Sequence, residues 1–218
     1  MNTADDLKLG NNSLLFRQYI NDAELLASFN DIEFCINHPW QYIPSITHRT
    51  LGTNIPLKSK YNKWFDKDVV NKRQVLDFVN LGHTLTLKNY SVHSTATQEV
   101  CKRIEDTLDV TCDMHLDCSL GAVSQYSNKT AHAMFIIQIQ GETSWKVFDK
   151  HSSSVYNNKT SEDSNATIDT VLRSGDMLYI PEDVVYNVLP FEKRISISIP
   201  CDINSTPIDR RNLKLNEK

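Results

Sequence analysis

The tripeptide His115-Leu116-Asp117 is the part of the sequence that most resembles a metal site. Side chains two residues apart on a β-strand point to the same face, so an imidazole and a carboxylate would lie side by side there. Non-haem iron is held by two imidazoles and one carboxylate, which leaves three positions for a co-substrate and oxygen. A complete set needs one more histidine, and His132 and His151 follow this point in the chain. The alternative is an ordinary strand pair that faces solvent.

The segment around this tripeptide belongs to a stretch rich in predicted strands. Residues 94–108 form an amphipathic helix with an N-cap Ser or Thr, and short apolar segments separated by turn sequences follow it. The predicted strands are 84–87 before the helix and then 110–118, 122–127, 132–140, 144–149, 167–172, 177–180, 184–188 and 194–199. Many short strands at this spacing are typical of a sandwich or a barrel. The polar stretch 151–165 predicts a mobile surface loop.

The composition is that of one globular domain. The 218 residues are 40% hydrophobic and 9% aromatic, enough for a buried core, which excludes the disordered and low-complexity classes. The net charge of -4 argues against general binding of nucleic-acid phosphates, although it leaves a local basic patch open. The sequence shows neither a long apolar run nor a signal peptide, so we expect a cytoplasmic protein that does not bind membranes. The five cysteines contain no Cys-x-x-Cys pair and are interpreted as reduced thiols.

The first 80 residues are less regular. Residues 14–29 have apolar side chains at helical spacing and predict one or two short helices. Residues 32–56 contain three prolines and predict an irregular or edge-strand segment. Residues 58–73 carry six basic and two acidic side chains, which predicts a solvated helix face or, alternatively, a contact for an anionic partner.

Two later segments carry a family resemblance when they are taken together. The first, MFIIQIQGETSWKVF at 134–148, is a hairpin whose Gly turn is followed by Trp; the second, LRSGDMLYIP at 172–181, is a turn that leads into a buried strand. In this order they resemble JmjC-type cupin proteins, in particular a bacterial cupin-like group related to ribosomal oxygenases. The resemblance implies a mainly β fold, a double-stranded β-helix (cupin-like jelly roll) with N-terminal and flanking helices. The domain boundaries it suggests are a flexible tail at 1–13, a helical or irregular region packed on the barrel at 14–80, the barrel at 81–203 and a C-terminal tail at 204–218.

Active members of that family use Fe(II), 2-oxoglutarate and oxygen to hydroxylate a substrate, and hold the iron with a His-x-Asp pair and a distal histidine. The resemblance places the His-x-Asp pair at Asn128 and Thr130, and the distal histidine at Tyr186. An amide, a hydroxyl and a protonated phenol do not offset the dehydration of a divalent ion as two imidazoles and a carboxylate do. We therefore expect no cofactor in the main interpretation, and Fe(II) with 2-oxoglutarate only in an alternative with displaced ligands.

Four further side chains are candidates for ligand binding. His132 shares strand parity with the two His-x-Asp positions, so a regular strand would point its ring into the barrel, either as an acid or base or as a hydrogen-bonded core residue. Arg194 and Ser196 are similar to the pair that binds the distal carboxylate of 2-oxoglutarate in other branches of the oxygenase superfamily, although a surface arginine fits as well. The sequence supports equally an orientation of Lys146 into the barrel and one out to solvent.

Three functions remain open from the sequence. The first is a JmjC-like protein without the iron triad. Such a protein would bind a small molecule or peptide in the barrel, or it would catalyse a metal-independent, non-oxidative step of a biosynthetic pathway. In that step Tyr186 and His132 would be the proton donor and acceptor. The second is an active Fe(II)/2-oxoglutarate-dependent hydroxylase whose metal ligands are drawn from His115, Asp117 and His132. The third is a non-catalytic protein-interaction module that uses its basic segment and the 151–165 loop. Homodimerisation stays open in all three.

Overall fold

The structure, a computed structural model, describes residues 12–38, 42–48, 51, 53–64, 67–121, 126–148 and 166–201 of the chain. The strands within these residues are β1 (Leu14–Phe16), β2 (Ile43–Thr47), β3 (Asn54–Ile55), β4 (Ser59–Asn62), β5 (Lys67–Val70), β6 (Thr84–Lys88), β7 (His115–Ser119), β8 (Tyr126–Lys129), β9 (Ala133–Gln140), β10 (Thr143–Phe148), β11 (Ala166–Leu172), β12 (Met177–Ile180), β13 (Val185–Pro190) and β14 (Arg194–Cys201). The α-helices are α1 (Phe29–Asn37), α2 (Lys72–Asn80) and α3 (Thr95–Leu108). No helix in the described part of the chain is long and apolar enough to span a membrane.

Two antiparallel sheets face each other and build the barrel. The larger sheet has the strand order β1-β12-β9-β14-β7-β6-β2-β3, and the smaller one has the order β11-β10-β13-β8. Strands that are distant in sequence are neighbours in both sheets, as in a double-stranded β-helix. The predicted fold, mainly β with N-terminal and flanking helices, is confirmed.

The larger sheet is buried on both faces, which explains the unbroken apolar run in β9. Phe135, Ile137 and Ile139 lie in the outer hydrophobic layer, together with the buried residues of α1 and α3. Ile136 points the other way and packs in the layer between the two sheets, where it joins Trp145. The side chains that point into the barrel therefore alternate with those that attach it to the helices.

Helix α3 begins where the sequence predicted it. The Ser94 side chain accepts a hydrogen bond from the Thr97 amide, and the Thr97 hydroxyl accepts one from the Ser94 amide, which forms a capping box. Val100, Ile104 and Leu108 lie one helical repeat apart and are buried in the outer layer.

The N-terminal segment differs from the prediction of short helices. Residues 14–16 form β1, which pairs with β12 at the edge of the larger sheet. The Arg17 guanidinium donates to the buried Asp176 carboxylate at 2.6 Å, and the Gln18 amide donates to its other oxygen at 2.9 Å. These long-range contacts outweigh the helical spacing of the apolar residues, because propensity is a weak preference beside tertiary packing. A short 3₁₀ helix, Ala23–Leu25, is the helical element that follows.

Residues 32–56 combine a helix with sheet edges. The first part of this range completes helix α1. The sequence analysis did not predict this helix because it relied on the three prolines, all of which follow the helix. The predicted edge strands are present as β2 and β3, which end the larger sheet.

The basic segment 58–73 is also different from the predicted helix face. Strands β4 and β5 form a separate hairpin with Tyr61 opposite Asp68, and helix α2 starts only after Asn71. The Asn71 side chain accepts hydrogen bonds from the Arg73 and Gln74 amides, so this asparagine, rather than the lysines, determines where the helix begins.

The loop at 151–165, the C-terminal tail at 204–218 and almost all of the tail at 1–13 lie outside the described residues. The proposed domain boundaries stay a prediction. Strands β1, β2 and β3, all from the region assigned to packing on the barrel, extend its larger sheet.

Candidate ligand site in the barrel

A cavity of about 170 Å³ lies between the two sheets. The larger sheet lines it with Thr47, Thr86, His115, Asp117, Met134, Ile136, Arg194, Ser196 and Ser198, and the smaller sheet with Asn128, Trp145 and Tyr186. The structure thus brings together most of the predicted site residues from four distant strands. A larger, open groove runs along the exposed hairpin β4–β5, but the barrel cavity, unlike that groove, is lined by a buried charged side chain, Arg194.

Arg194 is the most unusual residue of this cavity. The side chain is only 2% exposed, and Ser196 beside it is 1% exposed, so the interpretation as a surface arginine is wrong. One guanidinium nitrogen, Nη1, donates to the Ser196 hydroxyl at 2.8 Å. The buried Nε–H group has no hydrogen-bond partner among the described residues. The arginine side of the cavity therefore presents an unused donor on a positive charge.

No carboxylate among the described residues contacts the Arg194 guanidinium directly. Asp117 lies in the same cavity, but its two oxygens accept hydrogen bonds from the Thr86 hydroxyl at 2.5 Å and the Ser198 hydroxyl at 2.6 Å. Burial raises the pKa of the nearby Cys118 thiol to about 12, although Arg194 acts in the opposite direction, so this thiol stays protonated. Within the described residues Arg194 forms no ion pair with a carboxylate. A buried, unpaired charge is unfavourable, and an anion in the cavity would compensate it.

His115 and Asp117 both line the cavity, as their spacing predicted, and they are not a solvent-facing pair. His115 is partly held by Asp113, whose Oδ2 lies 3.3 Å from its Nε2. Burial alone would raise the pKa of Asp113, but hydrogen bonds from His115 and the Met114 amide hold it below its usual value. The described residues contain no group of three His, Cys, Asp or Glu side chains arranged to hold a metal ion.

The positions taken from the family resemblance occupy the smaller sheet. Asn128 and Tyr186 are directly opposite each other in the β8–β13 pairing. The Tyr186 ring packs on Trp145 with 5.4 Å between ring centroids. Thr130 is turned away from the cavity, since its buried hydroxyl donates to the Pro181 carbonyl at 2.6 Å and accepts from the Val184 amide at 2.9 Å. We conclude that Thr130 holds the turn before β13 and does not face a ligand.

Two predicted side chains lie outside the cavity. His132 is exposed, because residues 131 and 132 form a bend and the regular strand begins only at Ala133. The parity argument that placed its ring in the barrel is therefore wrong. Lys146 points outward, where its Nζ lies 3.1 Å from Asp169 and its side chain is 51% exposed.

Trp145 is a cavity residue that the sequence analysis treated only as part of a motif. It is 3% exposed, and its buried Nε1–H group has no hydrogen-bond partner among the described residues. Along β10, the buried Trp145 and Val147 alternate with the exposed Lys146. This alternation is the sequence signal that could have identified Trp145 as an inward-facing residue.

Comparison with known proteins is consistent with this geometry. A family profile described as the JmjC domain matches residues 90–207. The chain belongs to the JmjC domain family. In Drosophila sechellia, the bifunctional lysine-specific demethylase and histidyl-hydroxylase NO66 is 28% identical over 142 residues, which are 59% of this chain and 21% of that protein. The Drosophila simulans protein of the same name is 26% identical over 140 residues, which are 59% of this chain and 16% of that protein.

Solved structures show the same fold. YcfD, a ribosomal oxygenase from Escherichia coli, superimposes with a TM-score of 0.59 and 16% identity over 89% of this chain and 48% of the YcfD chain. YcfD in complex with cobalt and 2-oxoglutarate has a TM-score of 0.55 and 16% identity over 89% of this chain and 49% of that chain. This JmjC chain thus spans about half of YcfD and about a fifth of the NO66 proteins.

The expectation that this JmjC chain uses no cofactor is contradicted by that complex, in which a protein of the same fold holds cobalt and 2-oxoglutarate. The expectation was drawn from three positions, Asn128, Thr130 and Tyr186, all at the metal end assigned by the resemblance. Those positions carry no information about the opposite wall of the cavity. There the buried Arg194 has an Nε–H group with no hydrogen-bond partner among the described residues.

The residues that line the cavity fit 2-oxoglutarate better than they fit a metal ion. A carboxylate of 2-oxoglutarate fits the Arg194–Ser196 wall, which combines an unused N–H donor with a positive charge. The positions of the family's metal ligands do not present two imidazoles and a carboxylate. His115 and Asp117 are the imidazole and the carboxylate that this cavity offers to a metal ion.

Proposed function

We propose that this JmjC-domain protein binds 2-oxoglutarate, or a dicarboxylate of similar length, inside its barrel. The distal carboxylate lies against Arg194 and Ser196. The observation that supports this proposal most strongly is the buried guanidinium, which has one hydrogen bond to Ser196 and an Nε–H group that finds no partner in the described part of the chain. A carboxylate accepts hydrogen bonds from guanidinium in a bidentate manner and supplies a negative charge beside Arg194.

The size of the cavity favours a small acid over a peptide. Its volume of about 170 Å³ is below the range of about 300–1,000 Å³ that is usual for drug-sized ligands. On the other wall, Trp145 has a buried indole N–H with no hydrogen-bond partner among the described residues, and Tyr186 packs beside it. These two rings also keep bulk water away from the guanidinium, which strengthens its attraction for a carboxylate.

In this proposal the chain's own residues perform binding and orientation. Arg194 neutralises the distal carboxylate, Ser196 fixes the rotamer of Arg194, and the aromatic wall excludes water. In oxygenases of this family, 2-oxoglutarate together with a metal ion supplies the chemistry of hydroxylation.

Calorimetric titration with 2-oxoglutarate, under nitrogen and with or without Co²⁺, tests the proposal. We expect binding by the wild type and a loss of roughly 30- to 1,000-fold in affinity in Arg194→Gln, because a hydrogen-bonded charge contact in a buried site contributes about 2–4 kcal/mol. Arg194→Lys should be intermediate, since it keeps the charge but loses the planar fork.

The matched control for this titration is Arg173→Gln. Arg173 is an exposed arginine with a 71% accessible side chain that pairs with Glu142, so its variant should bind like the wild type. Equal affinity of Arg194→Gln and the wild type would contradict the proposal. Absence of heat with the wild type, with and without Co²⁺, would also contradict it and would favour the interaction-module hypothesis.

A second candidate function is a metal-dependent 2-oxoglutarate hydroxylase whose ligands include His115 and Asp117. The observation in its favour is that this imidazole and this carboxylate share one strand face and line the same cavity as Arg194. His132, the third residue once assigned to this set, is exposed and is not part of this proposal.

Titration with Mn²⁺, followed by electron paramagnetic resonance of the free ion, tests this second candidate. His115→Ala should lose metal affinity, whereas His132→Ala serves as a control on an exposed imidazole and should not. A parallel assay of succinate formed from 2-oxoglutarate with Fe(II) in air should show the same pattern. Identical Mn²⁺ binding by all three proteins would remove His115 from the metal site.

A further inference from the structure

Three cysteine thiols meet at the end of β14, on the outer side of the larger sheet. Cys112 and Cys201 face each other in an isolated antiparallel bridge. Cys101 reaches the same place from α3, and the Cys112 thiol donates to the Cys101 carbonyl at 3.7 Å. The Cys201 thiol donates to the Ile199 carbonyl at 3.4 Å. All three are free thiols in the structure.

The bridge between Cys112 and Cys201 has the geometry that a disulfide needs. Residues directly opposite each other in an antiparallel pair have Cα atoms about 4.5–5.5 Å apart. Disulfides span Cα separations of about 4.4–6.8 Å. Side chains at opposite positions also project to the same face of the pair. The two sulfurs can therefore join without a large movement of the backbone.

The three thiols differ in access and in acidity. Cys112 is partly accessible, whereas Cys201 is 2% and Cys101 is 6% exposed. Hydrogen bonds from the Cys101 and Cys201 thiols lower the pKa of Cys112, against the effects of burial and of Asp113. The same hydrogen bonds, together with burial, raise the pKa of Cys201 and of Cys101. Cys112 is thus the thiol that an oxidant reaches first, and reactivity follows the thiolate.

We propose that Cys112 and Cys201 form a modification site at which a hydroperoxide produces a reversible disulfide. The Cys112 sulfur attacks the peroxide O–O bond and becomes a sulfenic acid, while the leaving oxygen departs as water or as an alcohol. The Cys201 sulfur then attacks the Cys112 sulfur and releases its hydroxyl group as a second molecule of water. The two thiols supply the two electrons and two protons that the peroxide takes up.

The position of this bond connects it to the barrel. Cys112 precedes β7, which carries His115, and Cys201 ends β14, which carries Arg194; these strands pair directly, with Ser198 opposite His115. A disulfide would fasten together the two strands that form one wall of the cavity. The modification itself does not depend on the proposed ligand.

Intact-protein mass spectrometry after treatment with one equivalent of hydrogen peroxide tests the proposal. We expect a loss of about 2 Da, which dithiothreitol reverses, and a Cys112–Cys201 cross-linked peptide after digestion. The oxidised protein should melt roughly 5–15 °C higher, because the bond closes a long loop. Cys118→Ser, which changes a buried thiol outside the cluster, is the matched control and should still cross-link.

Two variants make the assignment specific. Cys201→Ser should no longer lose this mass, and dimedone should label its Cys112 as the trapped sulfenic acid. Cys101→Ser should still form the bond. A wild-type protein whose mass does not change, or a cross-link that maps to Cys101–Cys112, would overturn the proposal.

Discussion

Arg194 is a positive charge inside the barrel, and among the described residues its guanidinium hydrogen-bonds to one hydroxyl group, that of Ser196. Replacing a buried, uncompensated charge by an apolar side chain of similar volume is often neutral or stabilising. An arginine at such a position is better explained by a ligand than by folding. The same reasoning does not apply to Lys146, which has Asp169 and solvent around it.

The variant Arg194→Met turns this reasoning into a prediction. Without ligand, its free energy of unfolding should equal that of the wild type or exceed it by roughly 1–3 kcal/mol. With 2-oxoglutarate, the wild type alone should become more stable, because a ligand that binds only the folded state shifts the equilibrium. Urea unfolding curves with and without the acid measure both effects. A loss of more than about 2 kcal/mol without ligand would mean that Arg194 has a structural role.

Asp31 gives a prediction about pH. Burial alone would raise the pKa of Asp31, but hydrogen bonds from Ser28 and His93 together hold it below its usual value. Because the folded pKa is lower than the unfolded one, the carboxylate stabilises the fold above about pH 4. This contribution is lost as the pH falls through the folded pKa.

Urea titrations between about pH 5 and pH 3 should therefore show a steeper loss of stability for the wild type than for Asp31→Asn. The asparagine keeps an acceptor for the Ser28 amide but has no titration in this range. Parallel curves for the two proteins would show that Asp31 is not held in its ionised form by these contacts.

At the scale of elements, the turn before β12 attaches the N-terminal segment to the barrel. Gly175 has φ +85°, and its carbonyl accepts hydrogen bonds from the Tyr19 and Ile20 amides. A Cβ atom at this position would lie 2.7 Å from the Ile20 carbonyl oxygen. Both the backbone conformation and the close approach require glycine here.

We predict that Gly175→Ala lowers the free energy of unfolding by at least about 2 kcal/mol and exposes residues near Arg17 to trypsin. Ser174→Ala, an exposed change one residue earlier in the same turn, is the control and should behave like the wild type. Chemical unfolding and limited proteolysis measure the two effects. An intact N-terminal segment in Gly175→Ala would contradict the proposed role of this turn.

The elements that the sequence predicted well are those with strong local signals. The N-cap of α3 and the strands β9 and β10 depend on near neighbours in sequence. Strand β1 was missed because its three residues are held by pairing with β12, which local periodicity does not reveal. Local periodicity did not reveal the bend at 131–132 either, so His132 was predicted to point into the barrel. The burial of Arg194 depends on the closure of the whole barrel, so the tripeptide alone could not decide it.

At the scale of the whole molecule, the cavity is a product of the double-stranded β-helix. The fold brings residues from β6, β7 and β14 to face β8, β10 and β13 across a small interior. This architecture makes a pocket whichever side chains occupy the metal positions, so function has to be argued from the side chains and not from the fold. In this chain one wall of that pocket carries the buried Arg194 and Ser196.

The most direct test of the account is a crystal structure of the protein grown with saturating 2-oxoglutarate and Co²⁺. We predict electron density for the acid between the sheets, with one carboxylate about 3 Å from Arg194 and the Ser196 hydroxyl. An interior without density for the acid, or an acid bound with both carboxylates away from Arg194, would contradict the central claim.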